Sequence, residues 1–186
     1  LPGWIRRRFY RLDLQKFRLM NTQDIHDEIL RMFRSGASLR KLFIVAANFR
    51  RAEIEQKLYA DFDGTIQDGI FKGIKLSKCS HDSTLLPKLL GTYEVEIADH
   101  VKSLASNYSL FIDVGCADGY YTSGIAVNAN IDKVVGIDIS DEALDLAEES
   151  ALKNKVGQKC IFEKELMNAL PHITNRCFVM IDVDGD

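Results

Sequence analysis

The sequence predicts an α/β protein: a doubly wound parallel sheet that breaks off after its fourth strand, preceded by a helical amino-terminal extension. From residue 108 onward, four apolar runs, "YSLFIDVG", "DKVVGIDIS", "QKCIFEKEL" and "RCFVMIDVDGD", alternate with stretches of helical character. The runs are rich in β-branched residues and lack strict in-out alternation, as strands covered on both faces of a parallel sheet do. Charge divides the chain as well. Residues 1–60 hold 13 Lys and Arg against 6 Asp and Glu, a net of +7, whereas residues 61–186 hold 11 against 21, a net of −10.

Taken in order, residues 1–60 read as a basic helical extension of two or three amphipathic helices. Ile25, Ile29, Met32 and Phe33 recur at helical spacing, and Gly36 marks a break. Basic stretches with interleaved aromatics, such as "WIRRRFYRLDLQKFRL", are expected to be the solvated faces of helices that pack on a neighbour or on a second copy. Nucleic acid is not the expected partner.

Residues 61–84 read as a β-hairpin or linker, with turn residues Gly64, Asp68, Gly69 and Gly73 around β-prone pieces. Asp61, Asp63, Gly64 and Thr65 spell DxDGT, the nucleophile signature of the haloacid dehalogenase phosphatases. That chemistry needs the carboxylates at the end of a buried strand. The preceding "FRRAEIEQKLYA" contains no apolar run to form one and reads as a polar helix end, which makes the motif a turn.

In residues 85–186, "CADGYYTSGIAVNAN" continues the first strand into a helix. "DEALDLAEESALKNKV" is a second helix, with Asp141 and Glu142 in its first turn and Lys153 and Lys155 at its end, as the helix dipole favours. Hydrophobic residues at 46% and charged residues at 27% suit a globular domain with an appendage. No apolar run approaches the roughly 18 residues of a membrane span, and the start lacks a secretory core, so a cytoplasmic location is expected. Cys79, Cys116, Cys160 and Cys177 form no CxxC pair, which argues against a zinc site or disulfide framework.

Ligands of such sheets bind at the carboxyl ends of the strands. At the first end stands "DVGCADG", where a turn that leaves a strand, enters a helix and accepts a ligand against its backbone calls for glycine at 115 and 119. The spacing is G-x-x-x-G rather than the dinucleotide G-x-G-x-x-G, so no diphosphate cradle is indicated. At the second end, Asp138 offers a carboxylate that can accept both hydroxyls of a ribose, or can simply begin a capped turn before Ser140.

"FIDVGCADGYYT", "VVGIDIS" and "CFVMIDVDGD" resemble motifs I, II and IV of the class I methyltransferases that use S-adenosylmethionine (SAM), over roughly residues 85–186. Within that class they look most like FkbM-type small-molecule enzymes, in which a D-x-G-x-x-x-G-Y-Y-T run recurs. The resemblance implies a Rossmann-like sheet in which Asp113, Gly115, Cys116 and Gly119 surround the methionine and ribose of SAM. It further implies that Asp138 holds the ribose hydroxyls and that Ile139 flanks the adenine. Tyr93 and Glu94 would approach the carboxylate and amino end, and Asp182 would face the amino group or the substrate.

The implied reaction is methyl transfer to a hydroxyl of a small molecule or sugar, with Asp182 as the candidate catalytic base. Catechol-type relatives carry a D-x-D at this strand end for magnesium. Asp182, Asp184 and Asp186 therefore offer either a base or ligands for a divalent cation. The complete family sheet has seven strands, so the chain reads as part of a longer one. The alternative is a non-catalytic module of the same fold kept for assembly, with its basic helices binding a partner.

Overall fold

The computed structural model describes residues 20–80, 84–128, 130–173 and 176–183. The basic stretch before residue 20, with any third helix in it, and Asp184 and Asp186 lie outside them. The chain divides into two compact units, residues 1–58 and 59–186.

In the first unit, helix α1, Thr22–Arg34, begins at a capping box: the Asn21 side chain accepts from the backbone of Gln23 and Asp24, and Asp24 accepts from the Asn21 N–H in return. It stops before Gly36, whose φ of +81° is the left-handed conformation that ends helices. Helix α2, Leu39–Asp61, follows. Ile25 and Met32 of α1 pack with Val45, Phe49 and Ala52 of α2. Phe33, grouped with that face by its spacing, is instead 62% exposed, as are most of Leu39 and Phe43.

The second unit opens with a loop in which the expected hairpin is reduced to its shortest form, with Ile66 N–H bonded to Ile74 O and Leu76 N–H to Gly64 O. Thr65 and Lys75 form one antiparallel bridge and no ladder. The reason is burial: Ile66, Phe71, Ile74 and Leu76 all turn into the main core at 3% exposure or less, so the segment folds around its own side chains and works as core rather than as linker. Tyr59 Oη donates to Leu76 O, and Lys153 Nζ reaches the same carbonyl, which fastens the loop to the body of the unit.

Helices α3, Leu85–Leu90, and α4, Val95–Ala105, lead into strand β1, Leu110–Val114. Then come α5, Tyr120–Asn128; β2, Lys133–Ile137; α6, Asp141–Lys153; β3, Cys160–Glu163; the short α7, Leu166–Ala169; and β4, Cys177–Ile181. All pairings are parallel and the order is β3-β2-β1-β4, the Rossmann-like arrangement that the alternating pattern predicts. Phe111, Val134, Phe162 and Phe178 point to the face covered by residues of α3 to α6. Leu110, Ile112, Val135 and Ile137 point to the other face, where Ala169 of α7 packs. The first two crossovers step outward from β1 and the third returns past it, so the winding reverses between β1 and β4. In open α/β sheets such a reversal leaves a crevice at the carboxyl ends of the two strands concerned.

Candidate functional site

At that reversal the chain leaves β1 in a tight turn. The backbone N–H groups of Gly115 and Cys116 both donate to Ile137 O, at 2.8 and 3.0 Å, and Gly119 N–H closes the turn on Cys116 O at 2.9 Å. Gly115 and Gly119 have φ of +87° and +76°, so their conformational freedom is used. The space around them is not left for a ligand, as the sequence suggests, but is filled by the protein. A Cβ on Gly115 would lie 2.0 Å from Asp182 O, and one on Gly119 would lie 2.9 Å from Ala147 Cα. Ala117 also takes a left-handed φ, +47°, without being glycine. It is held by Asp138, whose Oδ2 accepts from Ala117 N–H at 3.0 Å while Oδ1 accepts from Ser140 N–H at 3.0 Å. Asp138 thus caps the turn, as one of its two readings has it, and each of its oxygens keeps a further lone pair.

Asp113, at 1% exposure, receives a 2.6 Å hydrogen bond from Thr122 Oγ1 on Oδ2. Its Oδ1 is buried and has no hydrogen-bond partner among the described residues. Burial pushes this carboxyl up to about 6, with Asp182 adding to the rise and Thr122 and Lys88 opposing it. Burial likewise raises the Cys116 thiol, with Asp113 and Asp138 nearby, so this cysteine is a packed neutral group and not a nucleophile.

Glu94 stands at the start of α4 with a φ of +48°, and Tyr121 Oη donates to its Oε2 at 2.9 Å. Tyr93 packs edge-on against Tyr120, and burial followed by the charge of Glu94 raises its hydroxyl. Ile139, beyond β2, is 88% exposed. Asp182 is exposed at the end of β4, its N–H bonded to Val114 O. Asp113, Gly115, Cys116, Gly119, Asp138 and Asp182 are thus gathered at the paired ends of β1, β2 and β4. Glu94 is bonded to Tyr121, in the first turn of the helix that follows Gly119.

Sequence reasoning misses three residues beneath this turn: Ser80, Lys88 and Asp118. The available signal is Lys88, a lone charge inside "LLPKLL", which is 2% exposed and bonded to Asp118. Asp61 ends α2, and none of the bonds described above involves it or Asp63. Asp63 pairs with Lys75, which lowers its pKa, in an exposed turn after α2.

Residues 105–183 match the model of a family described as a methyltransferase domain. No curated protein matches the chain. Among solved structures, the chain is similar to the O-methyltransferase from Bacillus cereus in complex with SAH, at 17% identity and a TM-score of 0.37, covering 45% of this chain and 43% of that one. It is also similar to the O-methyltransferase TomG of Streptomyces achromogenes, involved in tomaymycin synthesis and solved with SAM, at 14% identity and a TM-score of 0.39, covering 68% of this chain and 51% of that one. The chain spans about half or less of the length of the structures it matches. No helix of the described residues is long and apolar enough to cross a membrane.

Proposed function

We propose that this chain carries the SAM-binding part of a methyltransferase of the FkbM-like kind, acting on a hydroxyl of a small molecule or sugar. The observation that carries the reading is the pair of carboxylates around one turn: Asp138 with a lone pair free on each oxygen, and Asp113 with a buried oxygen that lacks a donor. Two acidic groups so placed suit a ligand with vicinal hydroxyls at one end and an ammonium at the other. The match of residues 105–183 to a methyltransferase domain supports the same reading.

SAM supplies a methyl group on a positively charged sulfur, and transfer to oxygen is a displacement that chiefly needs donor and acceptor aligned. In this reading Asp138 holds the ribose, Asp113 and Glu94 face the amino end, and the exposed Ile139 covers the adenine. Asp182 takes the proton of the acceptor hydroxyl. Asp182 and Asp184 are the candidate ligands for a divalent cation in the same reading. The test is calorimetric titration with SAM and S-adenosylhomocysteine (SAH). Binding is expected in the parent, with a loss of roughly tenfold or more in Asp138→Ala, the scale of hydrogen bonds to a charged group. A folded Asp138→Ala variant that binds as the parent does would remove Asp138 from the ribose site.

A further inference from the structure

The ammonium of Lys88 lies 2.5 Å from Asp118 Oδ1, with the two side chains 2% and 1% exposed. Asp118 Oδ2 accepts from Ser80 Oγ at 2.5 Å, and Lys88 Nζ donates to Ser80 Oγ at 3.2 Å, so the three form a closed ring of polar contacts. The rings of Tyr93 and Tyr120 stand 5.1 and 5.7 Å from the same ammonium. The backbone of Asp118 is held as well, because its carbonyl accepts from Ser150 Oγ of α6 at 3.1 Å. Asp118 is the residue between Ala117, bonded to Asp138, and Gly119, seated on α6.

Burying an ion pair is a poor route to stability alone, since an apolar pair of the same volume serves as well. What the charges add is direction. A carboxylate bonded on both oxygens to α3 and to the segment before it can take one orientation only, and that orientation fixes the turn in which Ala117 is left-handed. Such a backbone persists only where its surroundings over-determine it.

We propose that Lys88, Asp118 and Ser80 are positioning residues. They form a buried clamp that holds the Gly115–Gly119 turn in the shape that receives the amino-acid end of the cofactor, and they tie that turn to the segment bearing Tyr93 and Glu94. The functional half of this inference rests on the methyl-transfer reading, whereas the clamp itself does not.

Two readouts separate them in the 186-residue chain: SAH affinity by calorimetry, and the rate at which iodoacetamide alkylates Cys116, resolved from the other cysteines by peptide mass spectrometry. Cys116 is a buried member of the turn, so its labelling reports the turn's opening with no ligand present. The double variant Lys88→Met/Asp118→Leu removes both charges together and is expected to keep the parent's helical signal and melting temperature. Its SAH affinity should nevertheless fall at least tenfold and its Cys116 labelling rise at least tenfold. Ser80→Ala, which leaves the ion pair in place, should show the same two changes at about threefold. A double variant within twofold of the parent in both readouts would reduce the clamp to packing and overturn the proposal. Should the double variant fail to fold, Ser80→Ala decides by the same criterion. A parent that does not bind SAH would count against methyl transfer, and the Cys116 rate alone would then decide the clamp.

Discussion

Replacing Asp113 by Asn tests the electrostatics of the site without any ligand. The carboxyl rises from 3.8 to about 6, chiefly because it is buried. Below about pH 4 it is neutral folded or unfolded and has no effect on the balance between the two. Between about 4 and 6 the unfolded chain loses the proton while the folded one keeps it, so stability falls as pH rises. Above about 6 the folded state bears the full cost of a buried charge, about 3 kcal/mol for a shift of this size. Asn is isosteric, can still accept from Thr122 Oγ1, and never ionises. The stability advantage of Asp113→Asn over the parent should therefore grow by about 3 kcal/mol from pH 4 to pH 7 and level off beyond. Urea unfolding of both proteins at half-unit steps, followed by far-ultraviolet circular dichroism, measures the difference, in which titrating groups that do not interact with Asp113 cancel. A difference that stays flat across that range would refute the buried, partner-poor carboxylate on which the cofactor reading depends.

In the parent, SAM affinity should strengthen as pH rises through about 6, since ionised Asp113 attracts an ammonium, and Asp113→Asn should abolish that dependence in calorimetry. Gly115→Ala should destabilise more than Gly119→Ala, because the first places a Cβ 2.0 Å from a backbone carbonyl and the second 2.9 Å from Ala147; at least 1–2 kcal/mol is expected in each from the left-handed backbone alone, and equal urea midpoints would contradict the packing described. Asp61→Asn with Asp63→Asn should leave SAH binding unchanged and reveal no phosphate-ester hydrolysis in either protein; hydrolysis that the double substitution removes would restore the phosphatase reading of DxDGT. Phe111→Ala, at the centre of the sheet's helix-covered face, should cost about 3–5 kcal/mol, against which the site variants can be ranked by thermal melting.

The strands are legible because a buried parallel strand writes its environment into consecutive residues: "LFIDV" and "KVVGI" have apolar side chains on both faces and nothing else fits them. The start of α6 is legible for a related reason, since Ser140 ahead of it acts within three residues. Phe33 shows where periodicity fails. Among the described residues α1 packs against α2, and Phe33, at the edge of its apolar stripe, stays 62% exposed. The loop at 65–76 keeps only one bridge of the hairpin its pattern suggests, because the same apolar residues that would extend the strands fold into the shared core. Lys88 and Asp118 are 30 positions apart, and no local pattern connects them.

Gly115 shows how the fold and the candidate chemistry depend on each other. Read from sequence, its missing side chain makes room for a ligand. In the structure that room is occupied by the carbonyl of Asp182, which arrives there because β4 returns to pair with β1 where the winding reverses. The same close approach sets Asp182 beside the turn, where it adds to the rise of Asp113. In the proposed reading the cofactor therefore meets the turn on the side that bears Asp138, with Asp113 beneath it. A residue larger than glycine at 115 would act on the site indirectly, by forcing β4 away from β1 and carrying the candidate base with it.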